Sequence, residues 1–441
     1  DKSAGFLRIS QRGSIMSEKL TSKQLSRKIT DEYMEDAFHA HDNGKLVGYT
    51  TAISPVEIFV AHDIVPIYPE NHAVANLTAK KGVELCSAVE SMGYTSHLCA
   101  YARSDLGYRK TGVTVTKGIP DPDLFLACNA QCFTLTKWFQ VLARKGDLPV
   151  FVFDTPEHIL NKDARKEIVK YCVLQLKELI GFLEVQTKRK FDYDRLKEVM
   201  KYSAASSILY KKFLDMAQYK PSPISIFDAL IGMAIAVYRR GTQECVDYIA
   251  VYRRGTQECV DYYQTLCDEI QAKVDQGIGV LPKDQEKYRL YWENLPVWFK
   301  FSDHAKLLGS YGGVILTSLY VHAWSFDFDL NKDPLETLAE NYVNRFSNST
   351  IEDRADMAMD LFKKYSMNAM IMFMNRSCKA VSFAVPTLKD ILTKRTGIPA
   401  LVFESDMGDQ RFYAESQVRT RIEAYFETLD RLGLAQKTAV A

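Results

Sequence analysis

The chain has no run of about 18 or more apolar residues, so no membrane-spanning helix is expected in its 441 residues. Residues 1–15 are polar and mixed, without the apolar stretch of a secretory signal. Met16 followed by Ser17-Glu18-Lys19 reads as a natural start and residues 1–15 as an upstream extension, so the expected compartment is the cytoplasm. An excess of one charge is missing too. Lys+Arg 56 against Asp+Glu 55 argues against nucleic acid as the main partner, because phosphate binding normally shows as a basic surplus. No G-x-x-x-x-G-K-[ST] occurs, which argues against ATP bound to this chain through a P-loop. No H-E-x-x-H zinc spacing and no G-x-S-x-G nucleophile elbow appear either.

What is present is the composition of a globular protein, 47% hydrophobic and 25% charged, in a chain too long for one ordinary core. Residues 17–43 read as an amphipathic helix on Leu20, Leu25, Ile29, Tyr33 and Phe38, closed by an Asn43-Gly44 turn. Strand-like runs at 46–49, 64–67, 124–128 and 150–153 then alternate with helical pieces near 55–62, 83–92 and 131–145. From about 157 to 275 long helical periods dominate, broken at Lys220-Pro221-Ser222-Pro223. From roughly 296 the alternation returns, with strands at 314–316, 369–373 and 400–403 and helices near 334–346, 351–365, 385–395 and 415–430. This predicts an α/β protein of two lobes with mostly parallel sheets, covering 17–156 and 291–433, joined by a helical middle region at 157–290. The 14 residues 235–248 recur unchanged at 249–262. Solenoid repeats diverge and are longer, so a recent duplication or a sequence error explains them. If both copies form one helix, Cys245 and Cys259 share a face, as duplication alone would arrange.

Nine cysteines, an odd number, do not describe a disulfide framework. Three of their contexts suggest chemistry: His97-Leu98-Cys99-Ala100, Cys128-Asn129-Ala130-Gln131-Cys132, and Asn375-Arg376-Ser377-Cys378-Lys379. Cys132 and Cys378 each follow a strand-like run and precede a helix, the place where doubly wound folds bind anionic groups. Arg103, Arg376 and Lys379 would offset the negative charge of iron-bound thiolates. Spacing alone favours the plainer reading of buried, inert thiols, because Cys128-x₃-Cys132 is no ferredoxin run and no C-x₂-C pair exists. Other features have similar plain readings. His39 and His41 read as a solvated pair, and the Met-rich stretch 367–374 as core. Gly309-Ser310-Tyr311-Gly312-Gly313 reads as a loop, with backbone approach to a phosphate as the alternative. Glu57, opening the first helix of the first lobe, is a candidate acid–base group or a helix-dipole carboxylate.

Several segments together resemble the 2-hydroxyacyl-CoA dehydratase/benzoyl-CoA reductase family: GYTTAISPVEIFVAHDIVPI (48–67), LCAYARSDLG (98–107), PDLFLACNAQC (122–132), MNRSCKAVSF (374–383) and GIPALVFESDMGDQRFYAESQVRTRIEAYFE (397–427). The resemblance spans most of the chain and looks strongest to the larger active-site subunit of ATP-dependent benzoyl-CoA reductases; the duplicated stretch departs from it. It implies flavodoxin-like lobes around a [4Fe-4S] cluster held by Cys99, Cys132 and Cys378, with Cys128 as an alternative ligand and a double-cubane cluster as an alternative group. It implies a homologous smaller subunit, ATP-hydrolysing subunits that inject electrons, and ferredoxin upstream. The expected function is therefore single-electron reduction of an aromatic acyl-CoA thioester to a cyclic dienoyl-CoA. The alternatives are a (R)-2-hydroxyacyl-CoA dehydratase subunit and an electron-relay subunit without thioester chemistry. Trp138, Trp292, Trp298 and Trp324 are candidates to wall a dry site, or else core residues.

Overall fold

The computed structural model describes residues 20–156, 162–234, 255–283 and 285–435. Two four-stranded sheets, all parallel, organise them. The first has β1 (Val47–Thr50), β2 (Val65–Ile67), β3 (Leu124–Cys128) and β4 (Val150–Phe153), in the order β2-β1-β3-β4. The second has β5 (Tyr288–Glu293), β6 (Gly313–Thr317), β7 (Ala369–Asn375) and β8 (Ala400–Ser405), in the order β6-β5-β7-β8. The two orders are the same topology. In each, the first strand sits inside and the chain reverses direction of growth between first and third strands, which makes the carboxyl ends of β1/β3 and β5/β7 switch points. β1, β3, β5, β6 and β7 are almost wholly buried, as strands of parallel sheets covered on both faces must be, while β4 and β8 at the sheet edges are partly exposed.

The second sheet starts earlier than the sequence pattern suggests. Tyr288–Glu293, an inner strand, carries Arg289 and Glu293, charges that obscure its period. Both are buried and partnered: Arg289 bonds Glu286 and the carbonyls of Ala217, Tyr219 and Tyr365, and Glu293 accepts from Arg354 at 2.6 Å. Two helices, Pro69–Thr78 and Ala100–Thr111, likewise go unmarked by the sequence pattern.

Between the sheets run Lys162–Thr187, Tyr193–Asp215, Ile226–Ala234 and Gln257–Asp275. The opening helix, Ser22–Phe38, is shorter than expected and begins at a capping box of Thr21 and Gln24. It buries Ile29, Tyr33 and Ala37, while Leu20 and Phe38 stay exposed. Of the duplicated stretch, residues 235–254 and Cys245 lie outside the described residues. In the second copy Gly255 takes φ +86 and the helix starts only at Gln257. Among the described residues no helix is long and apolar enough to cross a membrane.

The halves are closely joined. Tyr210 donates to the Val321 carbonyl at 2.7 Å, Ser207 to the Phe326 carbonyl at 2.7 Å, and Tyr342 to the Ser54 carbonyl. At Gly82 a Cβ would collide with the Gly408 carbonyl, so the helix opening there can touch the loop after β8 only without a side chain.

Candidate functional site

The three candidate cysteines occupy one kind of place. Cys132 lies four residues past the end of β3 and caps the helix Phe133–Gly146, its sulfur accepting from the Thr134 N–H at 3.4 Å. Cys378 lies three residues past β7 and caps the turn Lys379–Ser382. Because β3 and β7 hold the same position in their sheets, these two thiols are topological equivalents, one from each half. Cys99 caps Ala100–Thr111 and comes from outside the sheets.

The three converge. Burial raises the Cys99 thiol pKa, and the neighbouring sulfurs of Cys378 and Cys132 raise it further. Cys378 is pushed up to about 12, first by burial and then by Cys132, with Arg354 opposing. Three thiols that would repel one another as thiolates need a cation-bearing group to ionise together. Among the described residues no three His, Cys, Asp or Glu side chains converge tightly enough to chelate a single metal ion. A cluster of several irons and sulfides is larger than an ion and takes thiolates from further apart, so this donor set suits it.

Cys128 is placed differently. It is the fully buried last residue of β3, and the groups that act most on its thiol after burial are the Ala130 backbone, Cys172 and Asp154. Glu57 is also fully buried and accepts from Ser203 at 3.1 Å, in the packing against the helix Tyr193–Asp215. The expected counter-cations are largely committed elsewhere. Arg103, wholly buried, donates to the Leu98 carbonyl (3.0 Å), Glu90 (3.1 Å), Asp409 (2.9 Å) and Asp406 (3.3 Å). It thereby ties the Cys99 loop to the loop after β8. Lys379 bonds the Arg376 carbonyl, and Arg376 stacks on Phe412. The glycines around 309–313 join a helix to the amino end of β6, away from the strand ends that carry the thiols, and Gly312 supplies φ +78 for that turn. His39 and His41 pair with surface carboxylates, and Met370 and Met372 are core residues.

A carboxyl that no sequence motif singles out is tied to the thiol loops through Gln131 and Tyr320. Glu70, three residues past β2, is buried and accepts from the Ala52 N–H and from Gln131 Nε2, both at 2.6 Å. Gln131 adjoins Cys132 and accepts in turn from the Ile53 N–H at 3.0 Å. Burial pushes Glu70 up to about 7 despite both hydrogen bonds. Tyr320 takes the equivalent place past β6, three residues on. Its phenol is raised by burial, then by the Glu70 and Cys378 charges, while Tyr101 bonds it. Tyr101 accepts from Trp298 Nε1 at 2.6 Å, and Trp324 meets Tyr320 edge-on at 5.2 Å. Of the four tryptophans, Trp298 and Trp324 therefore border the site. Trp138 bonds Asp105, and Trp292 packs in the second core. Only the repeated topology brings Glu70 and Tyr320 together.

Residues 51–429 match the family described as 2-hydroxyglutaryl-CoA dehydratase, D-component. The chain belongs to this family. It is 31% identical to the (R)-2-hydroxyisocaproyl-CoA dehydratase alpha subunit of Clostridioides difficile, over 94% of this chain and 98% of that one. It is equally 31% identical to the (R)-phenyllactyl-CoA dehydratase alpha subunit of Clostridium sporogenes, over 92% and 95%. To a subunit of the benzoyl-CoA reductase of Thauera aromatica it is 31% identical over 87% and 89%. The matched span of the dehydratase D-component family contains all three convergent cysteines, Glu70 and Tyr320.

Proposed function

We propose that this chain is the active-site subunit of an enzyme that adds single electrons to acyl-CoA thioesters, with Cys99, Cys132 and Cys378 holding a [4Fe-4S] cluster. The observation that carries the reading is the convergence of three thiols from three loops, with a buried carboxyl, pushed up to about 7, tied to the Cys132 loop through Gln131. When bound, such a cluster supplies electrons one at a time at low potential. The chain's own residues handle the protons. Glu70 holds a proton near pH 7 and can give it to, or take it from, a carbon or oxygen of the bound acyl group. The Ala52 N–H and Gln131 fix both carboxyl oxygens, so the proton is presented in one direction. Burial keeps Tyr320 protonated, Tyr101 bonds it, and both offer hydroxyls, while the aromatic wall with Trp298 and Trp324 keeps water out.

Of the two reactions represented among the relatives, we carry forward the dehydration of a (R)-2-hydroxyacyl-CoA. Relatives named as such dehydratases match at 31% over 95–98% of their length. Dearomatising reduction, which the sequence segments favour, is the second reading, supported by the match to the benzoyl-CoA reductase of Thauera aromatica. Both readings need a second, homologous subunit and an ATP-hydrolysing electron donor. The test is anaerobic co-expression with these partners and incubation with each thioester, ATP and a strong reductant, with products identified by mass spectrometry. An enoyl-CoA formed in many-fold excess over ATP supports dehydration. A dienoyl-CoA formed with continuous ATP use moves the assignment to the reductase, and conversion of neither thioester overturns both.

A further inference from the structure

Arg354 is a cation in an unfavourable place. It stands near the amino end of the helix Ile351–Lys364, where the helix dipole favours acids such as Glu352 and Asp353. It is buried all the same, with 5% of its surface exposed. Its ion pair is made far from its own turn. Asp353 bonds the capping Thr350 and Glu352 is exposed, whereas Arg354 reaches across to the second sheet and donates through Nη2 to Glu293 of β5 at 2.6 Å.

Glu293 leaves part of the guanidinium unused. Tyr291 donates to the other oxygen of the same carboxylate, and Tyr291 in turn accepts from the Leu319 N–H, next to Tyr320 of the site. Arg354 Nε is buried and has no hydrogen-bond partner. A charged donor of this kind costs free energy, and an apolar residue of similar size would often be neutral or stabilising in its place. Its surroundings account for it. The guanidinium lies over the Phe346 ring at 5.9 Å, and the next residue, Ser347, donates to the Ala130 carbonyl in the Cys132 loop at 2.7 Å. Its charge also acts on Cys378. Two more buried donors without acceptors adjoin the same loops: Asn375 Nδ2, whose residue's carbonyl accepts from the Cys378 N–H, and Trp324 Nε1, beside Tyr320. Sulfur is an acceptor that such donors can serve, and charge and hydrogen bonds around a cluster set its potential.

We propose that Arg354 is the buried counter-cation of the thiol site and raises the potential of the cluster held there. Reduction adds one negative charge in a buried place, and a fixed guanidinium stabilises the reduced form more than the oxidised one. Arg354 affects the acyl group only through the cluster, as a positioning residue. This rests on the cluster reading above and goes beyond it by naming a compensating cation where Arg103, Arg376 and Lys379 are largely committed elsewhere.

The test uses the assembled complex, prepared anaerobically, and reads the midpoint potential by redox titration followed by electron paramagnetic resonance. Glu293→Gln removes the anion of the pair and should raise the potential. Adding Arg354→Met removes the cation as well and leaves neither charge buried alone. The double variant should lie below Glu293→Gln by about tenfold or more in the one-electron equilibrium, which is about 59 mV. Opposite signs from two neighbouring changes are what charge produces and loosened packing does not. Arg354→Lys, which keeps the charge, should stay close to the parent. Lys201→Met, on an exposed helix face of the middle region, is the control and should change nothing. Iron and sulfide content shows that each variant is loaded; should the double variant fail to load, Arg354→Gln with Glu293→Gln replaces it. Equal potentials in the parent and both loaded variants, or shifts of one sign, would overturn the proposal and leave the cluster itself standing. A parent complex without a cluster would overturn both. The expected shifts in a complex that converts neither thioester would uphold the role of Arg354 and refute the proposed reaction.

Discussion

Glu70→Gln separates the proton chemistry of the site from its architecture. Glu70 titrates at about 7 in the folded chain against a reference of 4.5, because burial penalises its charge more than Ala52 and Gln131 relieve it. The folded protein therefore binds a proton that the unfolded chain has released between these two values. Stability from this group is fully present below pH 4.5 and is lost as pH rises through about 7. The difference amounts to roughly 3 kcal/mol at about pH 8. Glutamine cannot ionise, so the variant lacks this slope, although its amide places an N–H against one of two existing donors and costs about 1–3 kcal/mol at every pH. The assay is the thermal midpoint of parent and variant from about pH 4.5 to 8, where the variant should gain several degrees relative to the parent as pH rises. In the assembled complex the same variant should lose about 10²–10⁴ in turnover while keeping its iron. Midpoints that run parallel across the range would refute the burial argument, and unchanged turnover would remove Glu70 from the chemistry.

Further expectations follow from neighbouring contacts. Arg103→Met leaves Asp406 and Asp409 buried without their shared guanidinium, which should cost about 3–5 kcal/mol and loosen Cys99; thermal melting and iron content together check this. Tyr101→Phe removes the acceptor for Trp298 Nε1 and should lower kcat more than it raises KM for the thioester; a rise in KM alone would make Tyr101 a packing residue. Glu57→Gln, in contrast, should leave turnover within about twofold, since its carboxylate serves the packing against Ser203; a loss comparable to that of Glu70→Gln would reverse the two roles.

Much of the architecture is legible because it is local. The four strands of the first sheet, and three of the second, declare themselves as short apolar runs, since parallel strands covered on both faces need no polar alternation. β5 hides because its buried Arg289 and Glu293 are neutralised by distant partners, Glu286 and Arg354. The thiols are legible as candidates from their positions after strands and from resemblance, whereas their convergence depends on tertiary placement. Glu57 draws attention through its helix position, but the carboxyl tied to the Cys132 loop through Gln131 is Glu70. Its environment is assembled by Ala52, Gln131 and Tyr320, and the last of these lies 250 residues away in sequence on the equivalent strand end of the other half.

The central claim is that Cys99, Cys132 and Cys378 jointly hold a cluster, and iron with acid-labile sulfide per chain tests it most directly. After strictly anaerobic preparation, the parent chain should carry about four of each. Cys99→Ser, Cys132→Ser and Cys378→Ser should each lose most of both and all activity, whereas Cys172→Ser, a core thiol beside the Asp154 carbonyl, should lose neither. Full iron and sulfide in all three serine variants, or a parent chain without either, would contradict the account.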